Sequence, residues 1–294
     1  MMINFEKKGE WLVMSIPPVW EGLTPEQLFQ EVWKAPKKQT HFIRMNKEML
    51  INGKSDLWTH NLTKGDCIRL KLFQEEDFGV TPSYMDVDIL FEDELMLVVN
   101  KPPGIDTHPN SPGQTNTIAN GIAFYLQANG EHCPVKHIHR LDRDTSGVIL
   151  FAKNSFAGAI LDRMLQERNI KRTYTAIVHG IMQKKKGKID APIGRDRHHP
   201  TRRRVSPNGQ KAVTRFEVTE TNKKNNTTIV RCQLDTGRTH QIRVHFSHIG
   251  HPLVGDLLYG GKPSYHRQAL HAAKLEFVHP FTLEKLSISA PHPW

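Results

Sequence analysis

The stretch His137-Ile138-His139-Arg140-Leu141-Asp142-Arg143-Asp144-Thr145-Ser146-Gly147 runs directly into Val148-Ile149-Leu150-Phe151-Ala152. A short apolar run rich in β-branched and aromatic residues reads as a buried strand, so the polar loop before it is held by a rigid element. Asn154-Ser155 then caps a helix on which Phe156, Ile160 and Met164 recur at helical spacing. Upstream, Asp88 to Phe91 and Leu95 to Val99 are short apolar runs separated by Glu92-Asp93-Glu94, and Lys101-Pro102-Pro103-Gly104 ends the second. Downstream, Thr173 to Val178, Val213 to Val218 and Thr228 to Leu234 alternate with period two. Ile242, Phe246 and Ile249 form a helical stripe closed by Gly250. Strands and helices mix without a βαβ rhythm, which predicts an α+β domain over residues 88–294, built on a large, mixed, mostly antiparallel sheet.

Ahead of it, residues 1–75 read as a separate small α/β module and 76–87 as an acidic, Gly/Pro-containing linker. Thr24-Pro25-Glu26-Gln27 has the form of a capped helix start. A second helix is expected over Gln39 to Met49. Met49 to Lys54 then reads as a strand turning at Asn52-Gly53, and Leu62 to Leu70 as a further turn and strand.

The chain has 294 residues, and Lys plus Arg outnumber Asp plus Glu by 40 to 30, a formal charge of +10. That excess points to a polyanionic partner, nucleic acid above all. The basic residues crowd into Lys34 to Lys47, Lys184 to Lys188 (read as a solvated turn) and Arg195 to Lys211, where Arg202-Arg203-Arg204 reads as a phosphate-gripping loop. No run approaches the roughly 20 apolar residues of a membrane span, and Met1 to Glu10 has no signal-peptide apolar stretch. Cys67, Cys133 and Cys232 are odd in number and far apart, against a disulfide framework. These features predict a cytoplasmic protein with no membrane partner.

The loop itself admits several readings. Asp142-x-Asp144-x-Ser146-Gly147 matches the front of a calcium loop, but its twelfth position is Lys153 instead of a bidentate Glu. His245, His248 and His251 do not share one helix face, so zinc is not expected either. A catalytic loop and a salt-bridged turn both stay open on these grounds.

Further motifs bear on that choice. His139 to Gly147 with Phe151-Ala152-Lys153 resembles the signature of the RluA-type RNA pseudouridine synthases. Four other segments agree in order: Val98 to Gly104 with His108-Pro109, Lys171 to Gly180, Thr236 to Arg243 with Gly250 to Asp256, and Leu270-His271-Ala272 with His279-Pro280. The 1–75 module in turn resembles the alpha-L RNA-binding module, its basic set being Lys37, Lys38, Arg44 and Lys47. Arg202-Arg203-Arg204 stands where many relatives carry a Lys-Met pair, which bears on target choice.

The resemblance implies an isomerase that turns specific uridines of structured RNA, ribosomal or transfer, into pseudouridine within a central RNA-binding cleft. Asp142 matches the catalytic nucleophile, Arg243 the arginine that pairs with it, and Tyr174 the residue lying against the uracil. Attack on the sugar, attack on the base and assistance of an elimination all remain compatible with Asp142, and Asp144 is its rival carboxylate. Arg140, with His139 beside it, matches the group that fills the space of a flipped uridine. The reaction involves no net redox change, so no metal, nucleotide or other cofactor is expected, and the enzyme is expected to act as a monomer. The alternative is a non-catalytic RNA-binding or ribosome-associated protein, which decay of the Asp142, Tyr174 and Arg243 set would mark.

Overall fold

The computed structural model describes residues 5–294; the first four residues of Met1–Glu10, and so of the 1–75 module, lie outside the described residues. The N-terminal part contains β1 (Phe5–Lys8), β2 (Trp11–Ser15), α1 (Pro25–Gln27, continued by a π-helical turn Leu28–Val32), α2 (Lys37–Met45), β3 (Met49–Ile51) and β4 (Cys67–Lys71), with sheet order β1-β2-β4-β3. The Thr24 and Gln27 side chains form the reciprocal capping box that starts α1. The helix expected over Gln39 to Met49 instead ends at Met45, because Lys47 turns the chain at φ +55 and Met49 and Ile51 bury as a strand. Asn52 and Gly53 do turn with positive φ, but the expected hairpin shrinks to one Ile51–Lys54 bridge, and β3 pairs with β4. The β1–β2 hairpin has no clear signal in the sequence; only alternate positions of Trp11–Ser15 are buried.

The rest carries β5 (Asp88–Glu92), β6 (Met96–Lys101), α3 (Ile118–Ala128), β7 (Lys136–His137), β8 (Ser146–Ala152), α4 (Ser155–Gln166), β9 (Lys171–His179), β10 (Lys186–Asp190), β11 (Ile193–Arg195), β12 (Arg203–Val205), β13 (Val213–Asn222), β14 (Thr227–Leu234), α5 (Gln241–His248), β15 (Leu270–Val278) and β16 (Lys285–Ser289). Ten of these strands form one sheet in the order β10-β13-β14-β9-β15-β8-β6-β5, with β16 on β15 and β7 on β8. Among the described residues β15–β8 is its parallel pair and the others are antiparallel. Two basic segments differ from expectation. Lys186 lies in β10 with its ammonium 2.8 Å from Glu217 of the adjacent β13, and Arg203 lies in the β11–β12 ribbon, so neither segment is wholly a free loop.

The central strands are buried on both faces, which explains their continuous apolar runs. Leu97, Val99, Ile149 and Phe151 pack with Ile118, Ile122 and Leu126 of α3. Met96, Val98, Val148 and Leu150 pack on the opposite face with Leu161, Leu275 and Phe277. The N-terminal part is fastened to this body: Trp20, Phe29 and Trp33 share a core with Phe156, Ile160 and Phe281, and Lys34 pairs with Glu167 at 2.7 Å.

Candidate active site

The loop before β8 gets its shape from side chains distant in sequence. Thr107 Oγ1 both donates to the Leu141 carbonyl and accepts from the Leu141 N–H, each at 3.1 Å. Lys101, fully buried, donates its three ammonium protons to the carbonyls of Pro102, Ile105 and Arg143, and burial pushes its pKa down to about 8. The Arg267 guanidinium donates to the Asp144 carbonyl and to Ser146 Oγ. Buried backbone carbonyls need such partners, and here they come from three separate segments. Gly147 (φ +113) lets β8 approach β15 closely, since a Cβ there would lie 2.2 Å from the Ala272 carbonyl oxygen.

Asp142 is thereby presented to a cavity of about 490 Å³, lined also by Arg140, Arg172, Tyr174, His240 and Arg243. Arg243, on α5, donates through Nε and Nη2 to the two oxygens of buried Asp256 (2.7 and 2.9 Å) and through Nη1 to Asp142 Oδ2 (3.1 Å). The fork on Asp256 fixes the guanidinium plane, and so the direction of the third bond. Burial opposes the charge on Arg243, but the carboxylates of Asp256 and Asp142 outweigh it and raise its pKa, so it stays cationic. Among the described residues Asp142 Oδ1 has no hydrogen-bond donor, whereas Oδ2 has Arg243.

Tyr174 sits in β9 opposite Cys232 and Ala272, 4% exposed. Burial raises its phenol pKa; Arg172 opposes that and Asp142 adds to it, so the ring is neutral at physiological pH. Tyr259 stacks under the Arg243 guanidinium, 5.0 Å from its ring centroid.

The remaining expected residues divide. Arg140 is exposed at the cavity. His139 is 6% exposed, with Nε2 accepting from the Leu150 N–H, and burial holds it neutral. It lines the cavity beside Arg140 and also supports the loop through the core strand. Lys37, Lys38, Arg44 and Lys47 are exposed on and after α2 and do not line the cavity. Arg202 is paired with Asp196 at 2.7 Å, Arg203 donates its backbone N–H to Tyr259 Oη, and Arg204 is exposed. His245 bonds Thr214 and the Ala191 carbonyl inside the core. The described His, Cys, Asp and Glu residues form no group of three that could hold a metal ion.

Lys101, Thr107, Asp256, Tyr259 and Arg267 support the site without standing out in the sequence. Lys101 and Asp256 do leave a signal, as the lysine within Val98 to Gly104 and the acid that closes Gly250 to Asp256.

The family model described as RNA pseudouridylate synthase matches residues 95–248, the segment that contains the loop, Tyr174 and Arg243. The chain belongs to the RluA-type RNA pseudouridine synthases. It is therefore an isomerase acting on RNA, and its mixed sheet is the fold of that family. The model of the RluD ribosomal pseudouridine synthase N-terminal domain matches residues 12–68 of this family member. The "uncharacterized RNA pseudouridine synthase YhcT" of Bacillus subtilis (strain 168) is 49% identical over 294 residues, 100% of this chain and 93% of that protein. The ribosomal large subunit pseudouridine synthase D of Haemophilus ducreyi is 38% identical, across 78% of this chain and 74% of its own. Among solved structures, human RNA pseudouridylate synthase domain containing 1 superposes with a TM-score of 0.59 at 27% identity, covering 73% of this chain and 86% of its own. Among the described residues no helix is long and apolar enough to cross a membrane.

Proposed function

We propose that this synthase isomerises uridines of ribosomal RNA, with Asp142 as the nucleophile. The observation that carries the reading is the carboxylate of Asp142, held at Oδ2 by Arg243, without a hydrogen bond at Oδ1 among the described residues, on the wall of the cavity that Tyr174 also lines. The reaction detaches uracil from its ribose, turns it, and rejoins it through carbon 5 in place of nitrogen 1. One fragment must be held while the other moves, and a carboxylate can do this covalently. The neutral Tyr174 ring offers a flat face to the uracil. Exposed Arg140 takes the space of the flipped uridine, offsetting an unstacking cost of roughly a few kcal/mol.

Ribosomal RNA is preferred to transfer RNA because the chain resembles ribosomal enzymes twice over: residues 12–68 match an N-terminal domain of that class, and 78% of the chain resembles the large-subunit enzyme of Haemophilus ducreyi. In this reading residues 1–75 grip RNA through Lys37, Lys38, Arg44 and Lys47, 76–87 connect, and 88–294 catalyse, as a monomer in the cytoplasm. The test is to map pseudouridine across total RNA from cells with the gene, without it, and with Asp142→Asn. Ribosomal sites lost in both altered strains are expected. Sites lost only from transfer RNA would move the substrate, and identical maps would overturn the reading.

A further inference from the structure

His240 caps the start of α5 in the left-handed conformation, φ +58. That turn sets its ring between two site groups: Nδ1 lies 2.8 Å from Tyr259 Oη, and Nε2 lies 3.8 Å from Asp142 Oδ2. Hydrogen accounting assigns the tautomer. Tyr259 Oη accepts the Arg203 backbone N–H at 2.9 Å, and among the described residues His240 Nδ1 is the acceptor its own proton can reach. A phenol has a single proton to give. It goes to Nδ1, so the neutral ring carries its proton on Nε2, toward Asp142. Burial lowers the His240 pKa and keeps the ring neutral, although Asp142 pulls the other way. At 3.8 Å the Nε2–H is short of a hydrogen bond, and such contacts tighten when a substrate fills the site.

We propose that His240 is a positioning residue for Asp142, its Nε2–H closing on Oδ2 beside Arg243 once RNA is bound, with Tyr259 holding the tautomer. The proposal rests on Asp142 as nucleophile and adds a link from the β11–β12 ribbon, through the Arg203 N–H and Tyr259, to the reacting carboxylate.

Two amides separate this role from a structural one, because Gln can place a donor near the position of Nε2 and Asn near that of Nδ1. Single-turnover tritium release from uracil carbon 5, at saturating full-length enzyme, is compared for His240→Gln and His240→Asn beside RNA affinity and melting temperature. His240→Gln should stay within about 3-fold of wild type, whereas His240→Asn should slow by roughly 10-fold or more at unchanged affinity, the scale of a hydrogen bond to a charge. Asn accepts the left-handed conformation readily, so its slowness would not be a folding defect. Tyr259→Phe should slow wild type but add nothing to His240→Gln. The reverse order, with Asn active and Gln slow, would reduce His240 to a tether for Tyr259 and overturn the proposal, as would equal rates in both. Turnover surviving in Asp142→Asn would overturn the nucleophile assignment instead, a separate result.

Discussion

Arg243 with Asp142 and Asp256, and Lys153 with Glu92 and Glu131, are two clusters of one buried cation and two carboxylates, the cations 8% and 5% exposed. In the lysine cluster every carboxylate oxygen is engaged. Lys153 Nζ takes Glu92 Oε1 at 2.9 Å and both Glu131 oxygens, and the Tyr125 hydroxyl donates to Glu92 Oε2 at 2.7 Å. In the arginine cluster Asp256 is saturated by the fork, while Asp142 keeps Oδ1 open. Equal charge and similar burial of the cation thus give a brace in one place and, in the proposed function, a reactive group in the other. The difference is one unfilled acceptor, held in a fixed direction by a planar cation instead of a rotatable ammonium.

The sharpest test of that contrast removes the open oxygen's charge. Asp142→Asn should cost at least about 10³-fold in single-turnover tritium release, with RNA affinity nearly intact, as for removal of a nucleophile. Making the two clusters alike comes next. Arg243→Lys keeps the charge but loses the fork, and should slow the reaction by roughly 10²-fold, the cost of misplacing a reacting group by about 1 Å. A rate equal to wild type would show that direction matters less than charge.

Lys153→Met should act on stability instead, lowering it by about 3–5 kcal/mol by leaving two carboxylates without their cation. The folded fraction should keep its rate, which melting and activity measured together will show. Burial works against the Lys153 charge, but Glu131 and Glu92 outweigh it and raise its folded-state pKa above 10.5. Its stabilisation is therefore full below pH 10.5 and fades only as pH rises through the raised value. Smallest is the effect at charges buried in neither cluster. Replacing Lys37, Lys38, Arg44 and Lys47 by Ala should flatten the salt dependence of RNA binding by up to roughly 0.7–0.9 for each phosphate no longer neutralised, with the rate of bound substrate unchanged. Substitution is the right test here, because deleting residues 1–75 would uncover Phe156, Ile160 and Phe281.

Legibility followed the range of the interactions. The capping box at Thr24, the buried strand at Val148 to Ala152 and the Asn154 cap are local devices, and all three stand where the sequence places them. The helix expected as far as Met49 stops short because burial of Met49 and Ile51 in a sheet overrides a helical pattern. His139 lines the cavity as its motif suggests, and its Nε2 also accepts from the Leu150 N–H, which no spacing announces. β10 hides in a lysine run because an edge strand tolerates charge along its length.

By itself the sequence determined the α+β class through its periods and, through the resemblance of its contiguous motifs, the family, their order and the candidacy of Asp142, Tyr174 and Arg243. Only the tertiary structure decided which oxygen of Asp142 is free, that Asp256 aims Arg243, and that Thr107, Lys101 and Arg267 hold the loop. The reason is separation along the chain: Asp142 and Arg243 lie 101 residues apart. A hydrogen bond depends on distance and direction in space, and the packing of β8 against β15 and of α5 beside the sheet sets both.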